Sequence, residues 1–395
     1  MVDNSIVRKK KILLTAIGFP AGSSTSRAGG DKKYLLTEAR ALIEDGHSVT
    51  VLIPAMRDLP DEEVNDGVNI RRFRYPLMRH SPAYNMMPLT LKKTWLQAVS
   101  VVSLSLSLAL AVRLELKRSK YDLIWANWLQ VAMLSRLGRR RSIPILLTLR
   151  GSDVTTYPKW FVRLGSKLVP DVLNMYGPDS EPVEWIEEFG FTEWRVPGVY
   201  RPQDVTRMVK PSAPNIVVIG RFDGEPIIEP MKGLGPNLFQ ALNTLLRDRP
   251  EISVTVIGDG VKLDEYRELL NDYGSRVVFT GWLRDFREQL CAAYCVIGGA
   301  GRNGVIMDTV PYGIPALISR FAPGSRFWEH EKNCLIYDPS TSESFAKGIA
   351  MALDEPELLM SCAERARSEL AELVLPVETA GEQWAKVIDA YLQKT

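Results

Sequence analysis

Two glycine-bearing loops and two separated cations, each set behind an apolar run, are the residues of this chain best suited to chemistry. The run Lys11-Ile-Leu-Leu-Thr-Ala-Ile17 leads into a loop with Gly29 and Gly30. In the second half Asn215-Ile-Val-Val-Ile219 leads into Gly220 and Arg221, and Lys232 follows. A glycine, having no Cβ, lets a ligand approach the backbone closely. An arginine offers phosphate oxygens a planar fork and a lysine a point charge, and the ends of parallel strands are where α/β folds hold ligands. Binding of a phosphate-bearing nucleotide is the chemistry these residues predict. A ligand-free loop at Gly29 and Gly30, and a surface pair at Arg221 and Lys232, are the alternatives they leave open. His47 falls in a helix-to-strand turn, His80 in a basic loop and His330 at the periphery of the second half, so no histidine stands out as a base.

The elements that must position these residues are short β-branched runs alternating with longer helical stretches, the pattern of doubly wound α/β domains. Predicted strands in the first half are Lys11 to Ile17, Ser48 to Ile53, Asp122 to Ala126 and Ile145 to Leu149. Those in the second half are Ile216 to Ile219, Ser253 to Ile257, Val277 to Thr280, Cys295 to Gly298 and Ala316 to Ile318. Nearly all their residues are apolar, as parallel strands covered on both faces require. Leu238, Leu242, Leu245 and Leu246 share one helical stripe and read as core. With 395 residues the chain suits two domains, each of roughly 150 to 200 residues. Residues 1–200 and 201–375 are the expected domains, the Pro- and Arg-bearing stretch Pro197 to Pro214 the linker, and 376–395 a C-terminal helix.

Hydrophobic content of 46% with a formal net charge of +2 describes a soluble globular protein and gives no global electrostatic case for nucleic acid. Cys291, Cys295, Cys334 and Cys362 form neither a secreted disulfide framework nor a zinc pattern, because Cys291 and Cys295 lie one helical turn apart without a nearby histidine. They read as reduced structural thiols. Arg8-Lys9-Lys10-Lys11 before an apolar run imitates a signal peptide, but the run is very short and ends in Gly-Phe-Pro, which fits a first strand better. From Trp95 to Leu114 the chain has the length of a membrane span, yet Gln97, Ser100, Ser103, Ser105 and Ser107 dilute it, so a helix packed inside the first domain is expected. Arg139, Arg140 and Arg141 with Arg71, Arg72, Arg74 and Arg79 could make one face adhere to anionic lipid, solvated surface charge being the plainer reading.

The motifs together resemble the GT-B glycosyltransferases of the large retaining family 4, along nearly the whole chain. The stretches that carry the resemblance are Gly29-Gly30-Asp31, Asp45 to Thr50, Asp122-Leu-Ile-Trp-Ala-Asn-Trp128 and Ile143 to Asp153 in the first half. In the second they are Gly220-Arg221, Lys232-Gly233, Val256-Ile-Gly-Asp-Gly260, Val277-Val-Phe-Thr-Gly281 and Asp308 to Pro315. The implied fold is α/β, two Rossmann-like doubly wound domains facing a central cleft, with the C-terminal helix crossing back to the first domain.

The implied activity is transfer of a hexose-type sugar from a nucleotide diphosphate to a carbohydrate, lipid-linked or small-molecule acceptor, with retention and without metal or other cofactor. By the resemblance, Arg221 and Lys232 meet the negative charge that develops on the leaving diphosphate. Gly29, Gly30, Gly220 and Gly258 line the donor, and Gly301, Arg302, Asn303 and Gly304 present backbone amides at a helix start. Asp308 takes the ribose hydroxyls, while Ala300 stands where the family has a further acid. Arg150 stands where it usually has a histidine near the reacting carbon and is read with Arg221 and Lys232 as catalytic. A fixed cation there would favour a carboxylated or phosphorylated substrate. Asn127, Trp128 and Asp153 are expected on the acceptor side. No two aspartates are separated by one residue, the arrangement with which GT-A enzymes hold a divalent ion. The protein is expected in the cytoplasm, with membrane contact at most peripheral. Rival readings are a catalytically silent nucleotide- or glycan-binding subunit and a nucleotide-sugar epimerase.

Overall fold

Two parallel sheets, each with its own apolar core, organise the chain. The computed structural model describes residues 9–19, 33–81, 95–139, 143–150, 152–155, 157–175, 183–200, 214–222, 234–283, 285–298, 309–320 and 327–395. One unit comprises Met1–Tyr176, Val183–Pro202 and Leu375–Thr395, the other Gly177–Pro182 and Gln203–Val374.

In the first unit the strands are β1 (Lys11–Thr15), β2 (Ser48–Pro54), β3 (Glu62–Asn65), β4 (Val68–Phe73), β5 (Leu123–Asn127), β6 (Ile145–Thr148), β7 (Asp171–Met175) and β8 (Thr192–Val196), with a short β9 (Gly198–Tyr200) after them. Their order across the sheet is β3-β4-β2-β1-β5-β6-β7-β8. Every pairing is parallel except β3 with β4, an antiparallel hairpin turned by Asp66 and Gly67 at positive φ. Ile12, Leu13 and Leu14 are wholly buried because β1 is covered on both faces and flanked by β2 and β5. The lysine run is therefore the lead-in to a central strand.

The second unit carries β10 (Asn215–Arg221), β11 (Ser253–Asp259), β12 (Val277–Gly281), β13 (Cys295–Gly298), β14 (Ala316–Ser319) and β15 (Leu335–Tyr337). They form an all-parallel sheet in the order β12-β11-β10-β13-β14-β15. The helix Pro236–Asp248 buries Leu238, Leu242, Leu245 and Leu246 against it, so the leucine stripe is core. All four cysteines are free, and burial pushes the thiol of Cys295 up to about 12, which keeps it protonated at neutral pH.

Two sequence expectations change. Arg71, Arg72 and Arg74 do not form a free basic face, because acids on and before β3 and on the helix Trp95–Arg118 lie beside them. The Arg72 guanidinium is fully buried and donates to Glu63 at 2.6 Å and to the Pro60 carbonyl. Arg71 bonds Glu115, and Arg74 pairs with Asp61 at 3.0 Å. Arg140 and Arg141 lie outside the described residues. The helix Trp95–Arg118, expected inside the domain, packs by one face only: Leu108, Val112 and Leu116 enter the core, while Trp95, Val102, Leu106 and Leu110 stay exposed.

The C-terminal helix Val377–Lys394 belongs to the first unit through two buried aromatics. Trp384 donates its indole N–H to the Pro197 carbonyl at 2.9 Å and meets Trp125 edge-on at 5.5 Å. Tyr391 donates to the Ile145 carbonyl at 2.9 Å. We predict that Trp384→Ala destabilises this unit by about 3–5 kcal/mol, from lost burial and the cavity left behind. Urea unfolding followed by circular dichroism measures it, and a loss within experimental error would detach the helix from that core.

Candidate functional site

Each sheet has one place where the chain's crossovers diverge. In the first unit β1 leads by way of β2 towards one edge, and β5, its other neighbour, begins the run towards the opposite edge. In the second unit β10 and β13 stand in the same relation. Parallel strands that separate in this way leave an opening beyond their carboxyl ends, lined by the loops that leave them. The loop with Gly29 and Gly30 follows β1, and Asn127 ends β5. Arg221 ends β10, and the stretch 301–308 follows β13.

Most of the expected donor residues cannot be described further. Gly29, Gly30, Lys232, Gly301, Arg302, Asn303, Gly304 and Asp308 lie outside the described residues, as does Ala300, and of Arg221 only the backbone is described. Gly220 and Gly258 are described, and close packing surrounds both. They sit opposite each other in the β10–β11 register. A Cβ on Gly258, whose φ is +137°, would stand 1.8 Å from the Gly220 carbonyl oxygen, and one on Gly220 would stand 2.2 Å from Leu234. Backbone and core packing by themselves exclude a side chain here. The effect is to hold the carboxyl ends of β10 and β11 tightly together where Arg221 leaves the sheet.

In the first unit the described residues form a connected polar cluster. Arg150, just past β6, donates from Nη2 to both carboxylate oxygens of Glu38, at 2.7 and 3.1 Å. Its Nε and Nη2 also donate to Asn127 Oδ1 at 3.0 and 2.6 Å. The guanidinium lies 4.4 Å from the centroid of the Tyr34 ring, a cation–π contact. Glu38 is almost wholly buried; burial pushes its carboxyl above the usual range, and the charge and hydrogen bonds of Arg150 oppose that shift. The charges of the two side chains cancel. Arg150 is therefore not a bare cation awaiting an acidic substrate; it is clamped by Glu38, Asn127 and Tyr34 as a positioning residue.

Two of the three expected acceptor residues are structural as well. Asp153 is fully buried and accepts from the backbone N–H groups of Leu129 and Arg150, at 3.0 and 2.7 Å, so it ties the loop after β5 to the loop after β6. Trp128 is buried in the core with φ of 75°, and its N–H donates to the Thr148 carbonyl at 3.1 Å. That left-handed backbone turns the chain sharply from β5 into the helix Leu129–Gly138. Asn127 remains of interest, because its buried amide nitrogen Nδ2 has no hydrogen-bond partner among the described residues. Glu38 escaped the sequence reading, though a signal was present: it sits among Leu35, Ala39 and Leu42 on the buried face of the helix Lys33–Glu44, where an acid requires a partner. His47 lies elsewhere, with Nδ1 accepting from the Lys10 N–H at 2.9 Å. Among the described residues no group of three or more His, Cys, Asp or Glu side chains could hold a metal ion.

Comparisons with known proteins agree on one family. Residues 29–176 match the family model described as a glycosyl transferase 4-like domain, and residues 213–355 match that of the glycosyl transferases group 1. An uncharacterized glycosyltransferase of Haemophilus influenzae is 21% identical over 157 residues, 38% of this chain; the match spans 44% of that relative's length. The solved sucrose-phosphate synthase of Thermosynechococcus elongatus superposes with a TM-score of 0.72 at 15% identity, over 98% of this chain and all of that one. HepE of Anabaena, in complex with UDP-glucose, superposes with a TM-score of 0.63 at 16% identity, over 96% of this chain and all of that one.

The Glu38–Arg150 pair yields a prediction. Arg150→Met alone strands a buried carboxylate and should cost about 3–5 kcal/mol at neutral pH, whereas Glu38→Leu with Arg150→Met should cost far less. Without Arg150 the folded carboxyl of Glu38 rises further above its ordinary 4.5. The penalty of the single variant therefore grows as pH rises through that folded value and fades as pH falls below 4.5. Chemical denaturation at several pH values checks this, and a double variant as unstable as the single one would refute it.

Proposed function

We propose, from the premise that this chain belongs to the family-4-type GT-B glycosyltransferases, that it moves a hexose from a nucleotide diphosphate to an acceptor hydroxyl with retention and without a metal ion. The observation that carries the donor site is topological: Arg221 ends β10, and the stretch 301–308 follows β13, at the one divergence of strands in the second sheet. In this reading Arg221 and Lys232 hold the diphosphate by charge-assisted bonds. Backbone N–H groups of Gly301, Arg302, Asn303 and Gly304 add to them, and Asp308 accepts from the ribose hydroxyls.

The bond between the anomeric carbon and the diphosphate oxygen breaks as the acceptor oxygen bonds to that carbon from the same face. The acceptor proton passes to the departing phosphate oxygen, so no protein base is required. Negative charge grows on the leaving group during this step, and cations fixed beforehand stabilise it more than they stabilise the ground state. Glu38 and Arg150, being mutually neutralised, contribute shape and hydrogen bonding near Asn127 without a net charge. The acceptor is a carbohydrate, a lipid-linked sugar or a small molecule bearing a hydroxyl.

A panel of UDP-, GDP-, ADP- and dTDP-sugars in thermal-shift assays identifies the base, since a ligand at 100 times its Kd stabilises by about 2.7 kcal/mol. UDP-glucose, the ligand of HepE, is the first to try. Arg221→Ala and Lys232→Ala should each weaken binding of the matching nucleoside diphosphate by roughly 1.5 to 3 kcal/mol; unchanged affinity in calorimetry would remove them from the site. Asp308→Asn should weaken the nucleotide while leaving the melting temperature of the free protein unchanged. Product formation should withstand a chelator, and nucleotide binding with no turnover on any acceptor would favour the silent-subunit reading instead.

A further inference from the structure

The helix Trp95–Arg118 has its polarity reversed for a surface helix. Its exposed face carries Trp95, Val99, Val102, Leu106, Leu110 and Leu114, successive residues three or four apart and so in one row, with Trp95 73% and Leu106 69% exposed. The face turned to the protein includes Ser100 and Glu115, both buried. The row extends about 28 Å from Trp95 to Leu114, at a rise of ~1.5 Å per residue. Contiguous exposed apolar surface of this length marks an interaction site.

Three observations indicate what covers it. The first is charge. Arg113 and Lys117 are exposed on the same face at its C-terminal end, and the only carboxylate of the helix, Glu115, lies on the opposite face with Arg71 and Tyr121. The second is the state of the serines. Ser100 donates to the Gln97 carbonyl at 2.8 Å, Ser103 to those of Pro76 and Ser100 at 2.5 and 2.8 Å and Ser105 to that of Val101 at 3.0 Å, so the hydroxyl protons of these serines are taken up by backbone carbonyls. The third is the neighbouring helix Leu129–Gly138. Gly138 packs directly on the Ala109 carbonyl, and the preceding residue, Leu137, is 75% exposed, with Arg136 next to it in sequence. Apolar residues in one plane, an indole at one end and cations at the other match an interface of acyl chains and anionic head groups. To cross the bilayer the helix would have to leave the α/β domain, in whose core Leu108, Val112 and Leu116 are fixed.

We infer that this exposed face is a docking surface for an anionic lipid bilayer, the helix lying in the plane of the interface with its apolar row in the acyl boundary. The binding is measured without any sugar donor, so it stands apart from the catalytic reading. The full chain should co-sediment with vesicles of phosphatidylglycerol and phosphatidylcholine, and much less with phosphatidylcholine alone. Leu106→Gln with Leu110→Gln should lower the partition coefficient at least about tenfold, with the melting temperature unchanged because both residues are exposed. Arg113→Gln with Lys117→Gln should weaken binding to anionic vesicles and flatten its salt dependence. Three results would overturn the inference: wild type that stays in the supernatant with anionic vesicles, a leucine variant that binds as well as wild type, or leucine substitutions that dissociate a dimer in analytical ultracentrifugation while wild type ignores vesicles.

Discussion

Parallel pairing on both sides of a central strand is the constraint from which the rest of the structure follows. β10 is held by β11 on one side and β13 on the other, and β1 by β2 and β5. Because parallel neighbours need long crossovers, the chain runs from each central pair of strands towards opposite edges of its sheet. The all-apolar composition of these strands serves burial on both faces. The glycines facing each other at Gly220 and Gly258 keep the strand ends close enough for Arg221 to leave the sheet from a rigid support. The proposed hold on a diphosphate would draw on such a support, since preorganised charge costs no rearrangement during the reaction.

The first sheet places a different chemistry at its own divergence. Arg150 is closed in by Glu38, Asn127 and Tyr34, with Asp153 beneath it binding two backbone N–H groups. A buried pair of this kind adds little net stability, but losing one partner is costly, so it fixes geometry more than it adds free energy. Among the described residues the buried Nδ2 of Asn127 has hydrogen-bonding capacity left over.

Much of the fold was legible because burial on both faces leaves a simple trace. All nine expected strands are present, with ends shifted by one or two residues. Several of the strands missed by that reading carry polar residues whose partners lie on other strands. β7 contains Asp171 and Asn174, which look like turn residues, yet Asp171 accepts from the Trp194 indole at 3.2 Å and Asn174 donates to Glu193 at 2.6 Å, both on β8. β3 and β4 were hidden by acids and arginines that pair across the hairpin. The site was less legible. Motif positions located Arg150 at the carboxyl end of the first sheet, but its charge was misjudged because Glu38, 112 residues away in sequence, neutralises it. Trp128 and Asp153 were assigned to an acceptor from the family resemblance; their side chains turn inward to the core and to backbone amides. Residue type predicted chemistry, and tertiary pairing decided whether it was available.

The central claim, that a nucleoside diphosphate is held beyond the carboxyl ends of β10 and β13, is tested most directly by hydrogen exchange read out by mass spectrometry on the full chain, with and without saturating nucleoside diphosphate. The account predicts slowed exchange in peptides covering 221–233 and 299–308, with peptides from β3, β4 and the helix Trp95–Arg118 unchanged. Protection confined to the first unit, or absent from both predicted segments while binding is demonstrably saturated, would contradict it.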